Sequence, residues 1–210
     1  VAFRIPNTFR RLFAEGTFNA AFVPSYSSEL AKGKNKSNKF ASEIFNLLFL
    51  ILLLLVLVIQ IFMPMFVSLI APGFIDDNDK MNTAINLTRI TFPFLMLVSL
   101  ASFFSGILNS HNRFAAAAAA PIILNFVLIM VLLFGKSLNE DLVYYLSYGV
   151  TLGGLLQLVF LYFFVKKYFR IKFNFQSKIS NQVKVFFKKL LPSIFSSGVT
   201  QINILVGTII

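Results

Sequence analysis

The 210-residue sequence contains no cysteine, no tryptophan, one histidine and eight acidic residues. Without cysteine there is no disulfide framework, no thiolate metal site and no catalytic thiol. The lone histidine, His111, has no second ligand-type residue at metal spacing, so no metal site is expected, and its position reads as a solvated loop histidine. Apart from Glu15, the acids fall in loops or at helix ends (Glu29 and Glu43), which leaves no carboxylate pair for general acid–base work. HExxH, GxSxG, the phosphate-binding P-loop and a strand-borne dinucleotide fingerprint are all missing. These absences argue against an enzyme and call for no cofactor.

What is present is apolar. Hydrophobic residues make up 57% of the chain, with 27 phenylalanines, and charged residues only 13%. Mean hydropathy is +0.79. Several runs are long enough to cross a hydrocarbon core of about 30 Å at 1.5 Å per residue. The class expected is an all-α, polytopic transmembrane helical bundle. A net charge of +11 raises the question of nucleic acid, but the basic residues cluster between apolar runs and form no surface stripe. Basic loops retained on the cytoplasmic side explain them, with anionic membrane lipids as partners and no nucleic acid.

Taken in order, Val1 to Ala31 reads as one helix with Pro6 and Pro24 as kinks, followed by a lysine-rich polar turn from Lys32 to Lys39. Ile44 to Ala71 is the clearest span, stopped at Ala71-Pro72-Gly73-Phe74. An acidic loop over Ile75–Lys80 precedes the span Asn82 to Ser110, which contains Pro93 and has Arg89 as an interfacial anchor. A short turn around His111 leads through the helix-favouring run Ala115 to Ala120 into Pro121–Phe134. Gly135–Asp141 is a second outer loop, and Leu142 to Val165 returns with Gly149 and Gly153 as a small-residue packing pattern. Between Ser177 and Leu191 apolar residues alternate with Lys184, Lys188 and Lys189, as in an amphipathic helix on an anionic leaflet. Pro192 to Ile210 starts another crossing. Thirteen Lys and Arg residues fall in the loops of one side and two, Lys80 and Lys136, on the other. The chain opens without Met and both ends lie inside apolar patterns, so an internal fragment of a longer membrane protein is expected.

One charged motif interrupts the first helix: Arg10-Arg11-Leu12-Phe13-Ala14-Glu15-Gly16-Thr17-Phe18. Arg11 and Glu15 are four residues apart, share a helix face and are placed to pair. Arg10 is turned about 100° away and has no such neighbour, which leaves it for an anion. Two readings stand side by side. Either the three charges sit at a helix end and snorkel to the headgroups, or they face a polar cavity, the usual setting for ionised groups at membrane depth.

The same residues carry a resemblance. Val1-Ala2-Phe3-Arg4-Ile5-Pro6-Asn7, the motif from Arg10 to Phe18, and Ala21-Phe22-Val23-Pro24 resemble the second transmembrane helix of the MurJ/MviN lipid II flippases. Ala71–Phe74, Ile90–Pro93, Asn112-Arg113-Phe114, Ala120-Pro121 with Asn125, and Gly153-Gly154 with Leu156-Gln157 match in order along the chain. The resemblance implies a multi-pass protein of the bacterial inner membrane, within the MOP exporter superfamily. It implies alternating access that carries the pyrophosphate-linked peptidoglycan precursor between leaflets. By the same resemblance, residues 1–175 correspond to N-lobe helices two to six, and 176–210 to an amphipathic linker and the start of the C-lobe. Arg10 matches a cavity arginine that engages the substrate pyrophosphate, Asn7 and Glu15 match cavity-lining positions, and Arg11 belongs to the motif with a less defined role. Ala117 stands where the family commonly has proline. Another exporter of the superfamily, or a membrane scaffold in which Arg11 and Glu15 simply pair, are the competing expectations.

Overall fold

A computed structural model describes residues 17–135, 142–173 and 179–192. Their secondary structure is helical: α1 (Thr17–Ala31), α2 (Lys34–Ile61), α3 (Met63–Ile70), α4 (Asn78–Thr91), α5 (Phe94–Ser110), α6 (Phe114–Gly135) and α7 (Leu142–Val165). A further helix, α8, covers residues 181–192. Among the described residues, α2, α4 with α5, α6 and α7 are long and apolar enough to cross a membrane. The outward faces of these helices remain greasy, with Ile61, Leu133 and Phe134 all at least 61% exposed. Apolar surface of that extent suits acyl chains rather than water.

Several expected boundaries shift, each for a local reason. The lysine-rich turn is shorter than the sequence suggested, because α2 begins at Lys34 and only Lys32 and Gly33 separate it from α1. Gly33 makes that reversal with a φ of 121°, a conformation side-chain-bearing residues avoid. Asp77 caps α4 by accepting from the Lys80 N–H, so that helix starts before Asn82. The span from Ile44 to Ala71 breaks at Phe62, where Pro64 has no N–H to give the carbonyl of residue 60. Ala71–Phe74 does stop the helix, as a 3-10 turn over Pro72–Phe74.

The second break, at Phe92 and Pro93, is repaired by neighbours. Proline cannot donate to the Arg89 carbonyl four residues back. Gln60 Nε2 on α2 donates to that oxygen instead, at 2.8 Å. Thr151 Oγ1 on α7 donates to the adjacent carbonyl of Ile90 at 2.6 Å. Gln60 and Thr151, polar residues within apolar helices, thus bridge helices and close backbone groups that lipid would leave unpaired. Asn46 bridges as well, donating to the carbonyl of Lys172 at 3.1 Å. Thr91 instead bonds back to Leu87 on its own helix, and Asn125 is exposed. Thr200, Gln201 and Asn203 lie outside the described residues.

The glycines of α7 serve packing, as their spacing predicted. A Cβ on Gly153 would stand 3.3 Å from Leu124 Cα and one on Gly154 would stand 2.6 Å from Phe94 Cδ2. Their absence lets α7 lie close against both α6 and α5.

The main core is aromatic and sits between α1, α2, α5 and α8. Phe18, Phe22 and Tyr26 recur every fourth residue on α1 and are 5%, 0% and 0% exposed. Their rings stack in series at 5.2 and 5.6 Å. Phe103 of α5 lies 5.0 Å from Phe22, and Phe186 of α8 meets Phe18, Phe22 and Phe40 edge-on. Edge-to-face and offset arrangements of this kind favour aromatic quadrupoles. The amphipathic pattern of α8 is therefore real, with Val183, Phe186 and Leu190 buried and Lys184 and Lys188 exposed. Its apolar stripe is occupied by protein, because α1 and α2 present phenylalanines to it.

Candidate functional site

Arg10, Arg11, Glu15 and Asn7 lie outside the described residues. The described helix α1 begins at Thr17, directly after most of the motif, and has two distinct sides. The aromatic side is locked into the core as above. On the other side Ala20, Pro24 and Ser28 are exposed, again four residues apart. Small side chains at helical spacing form a smooth face.

That face opens on a cleft of about 640 Å³ between α1 and α8. Ser25, Ser28 and Glu29 line it from α1, Lys32 from the turn after it, and Asn181, Gln182 and Lys189 from α8. Pro24 lines it too, and it cannot donate to the carbonyl of Ala20, another lining residue. Glu29 has a side chain only 8% exposed and is paired with Lys32 Nζ at 2.6 Å, while Lys32 remains half in solvent. The cleft mixes these polar groups with apolar walls such as Phe40 and Val185, sits at one end of the bundle and holds more positive than negative side chains. It has the size and polarity to admit water and a charged headgroup beside α1. The stripe Ala20–Pro24–Ser28 was visible in the sequence, but only the buried phenylalanines on the far side show that it is left open.

The basic end of the bundle is tied together by side chains far apart in sequence. His111, in the turn between α5 and α6, lies 3.2 Å from Tyr26 Oη through Nε2. Its ring stacks on Tyr168 at 4.4 Å. Arg113 Nε donates to Tyr168 Oη at 2.9 Å. The expectation of a solvated histidine is thereby corrected: the ring is packed between two tyrosines from α1 and the segment after α7. Burial lowers its pKa below the usual histidine value, and the nearby Lys34 ammonium pushes the same way. Asn112 sustains the turn with a φ of 58°, tolerable for asparagine. Glu43 of α2 accepts from the Ser180 N–H at the start of α8, anchoring that helix. Arg89, expected to be an anchor, is exposed, and its backbone carbonyl is the group held by Gln60. Among the described residues, no cluster of three or more His, Asp or Glu is arranged for a metal.

The comparisons with known proteins agree with this architecture. A family model described as "Lipid II flippase MurJ" matches residues 1–210. The chain is 44% identical over 213 residues to a probable lipid II flippase MurJ of Rhizobium meliloti (strain 1021), covering 99% of this chain and 40% of that protein. It is 39% identical over 215 residues to the probable lipid II flippase MurJ of Rickettsia prowazekii (strain Madrid E), covering 99% and 41%. A solved structure described as "Lipid II flippase MurJ, inward closed conformation" is similar with a TM-score of 0.79 at 26% identity, over 98% of this chain and 41% of that one. The chain thus spans about 40% of the length of the curated relatives it matches. It is a multi-pass helical membrane protein, and it belongs to the lipid II flippase MurJ family.

Proposed function

We propose that this chain forms part of a flippase of the bacterial inner membrane that moves the undecaprenyl-pyrophosphate-linked peptidoglycan precursor between leaflets by alternating access. Residues 1–175 supply N-lobe helices two to six, and 176–210 lead into the second lobe. The lysine-rich end of the bundle faces the cytoplasm and its anionic leaflet. The observation that carries the reading is the split between the two sides of α1, because it sorts the motif residues by helical register. Ser28 follows Arg10 by eighteen residues, about five turns, so the register carries Arg10 onto the open side with Ser28 and Pro24. Arg11 and Glu15 fall, by the same register, within about 60° of Phe18 on the core side, where they pair with each other. Asn7 falls beside that pair.

Arg10 is then the motif residue offered to the substrate. A guanidinium keeps its charge in a desolvated cavity and gives two parallel hydrogen bonds to a phosphate. The cleft below Ser28, rimmed by Lys32 and Lys189, gives a pyrophosphate headgroup a route with positive charge along the same face of α1. The test is complementation of a flippase-depleted strain by the full-length gene product. Arg10→Ala abolishes growth and Arg10→Lys impairs it, since an ammonium lacks the planar fork. Normal growth with Arg10→Ala removes this residue from the mechanism.

A further inference from the structure

We propose that the cleft between the start of α6 and the end of α7 is a binding site for one anionic phospholipid, held by its phosphate at the basic end of the bundle. The inference rests on the membrane orientation proposed above and adds a ligand distinct from the transported one. The cleft measures about 970 Å³. Arg113, Lys166, Lys167 and Arg170 line it, with no carboxylate among the lining residues. Its wall is aromatic: Phe163 and Phe164 are 57% and 48% exposed.

Two contacts organise the cations against that wall. Tyr168 accepts from Arg113 Nε while stacking on His111, which fixes the guanidinium at the cleft edge. Lys166 Nζ stands 4.8 Å from the centre of the Phe163 ring, at the junction of charge and hydrocarbon. Such a site asks for a ligand with both chemistries. Inorganic phosphate would satisfy the cations and leave the phenylalanines wet, whereas a neutral acyl chain would cover the rings and strand four charges. A neighbouring basic cleft of about 650 Å³ shares Lys166, Lys167 and Arg170 but adds Glu43, and its other walls are polar. The charge and wall that suit a lipid therefore coincide on the α6–α7 side. Basic pockets between helices at the cytoplasmic surface have this chemistry in general.

The experiment uses the full-length gene product in phosphatidylcholine vesicles with a trace of spin-labelled phosphatidylglycerol or spin-labelled phosphatidylcholine. The protein immobilises phosphatidylglycerol in preference, by about fivefold for each engaged cation. Lys167→Gln with Arg170→Gln, at two exposed positions, lowers the preference by about 25-fold, whereas Lys184→Gln with Lys188→Gln on α8 leaves it intact. Equal preference in the first variant and the unaltered protein overturns the site. So does displacement of the lipid by inorganic phosphate when chloride at matched ionic strength leaves it bound. A cysteine placed at position 167 and labelled from each side of sealed vesicles separately reports orientation, so a wrong orientation is recognised apart from a failed lipid site.

Discussion

His111 illustrates what one residue gains from the fold. Its Tyr26 and Tyr168 partners hold the imidazole partly out of water, with Lys34 and Arg113 as the charged groups nearby. Protonation adds a third positive charge to that corner. Because the folded-state pKa is depressed, the unfolded chain binds more protons below about pH 6.5. The contribution of this site is therefore complete above that pH and is lost as pH falls through the lower, folded value. Melting temperature in detergent is expected to decline from about pH 7 toward pH 5. His111→Phe keeps the ring stack and removes the decline due to this site, while giving up the hydrogen bond to Tyr26. An unchanged pH dependence in that variant contradicts the assignment.

At the scale of elements, the two proline breaks decide how α2, α4, α5 and α7 interlock. Pro93 leaves a carbonyl at Arg89 that Gln60 covers from another helix. Gln60→Leu is expected to cost about 1 kcal/mol of stability, within the range of interhelical hydrogen bonds in membranes. Combined with Pro93→Ala, which returns an N–H to the helix, the same substitution becomes nearly neutral. Denaturation of the four proteins in a double-mutant cycle measures the difference. Equal costs in both backgrounds show that Gln60 does not answer to the proline. The apolar spans, the stop at Pro72 and the packing role of Gly153 were legible from composition and spacing. The start of α2 at Lys34 was hidden, since lysines suit both a loop and the first turns of a helix. The environment of His111 was hidden too, because its partners lie 85 and 57 positions away. The target of the α8 apolar stripe was equally illegible: lipid and a phenylalanine core demand the same pattern.

For the whole molecule, the central point is the two-sidedness of α1. Its aromatic side, built on Phe18, Phe22 and Tyr26, binds it to α2, α5 and α8. The opposite side is left to the cleft against α8, and the proposed function puts Arg10 on that side by register. Family membership rests on the full-length match and on the shared fold. The proposed sorting of Arg10 from Arg11 extends the register of α1 by helical geometry. Because this chain has no cysteine, single cysteines introduced at positions 10, 11, 22 and 28 can be probed with a charged, water-soluble thiol reagent in the full-length gene product. Positions 10 and 28 are expected to react and to be protected by a pyrophosphate lipid, with 11 and 22 inert. Reaction at 11 with none at 10 contradicts the assignment of Arg10 to the substrate path.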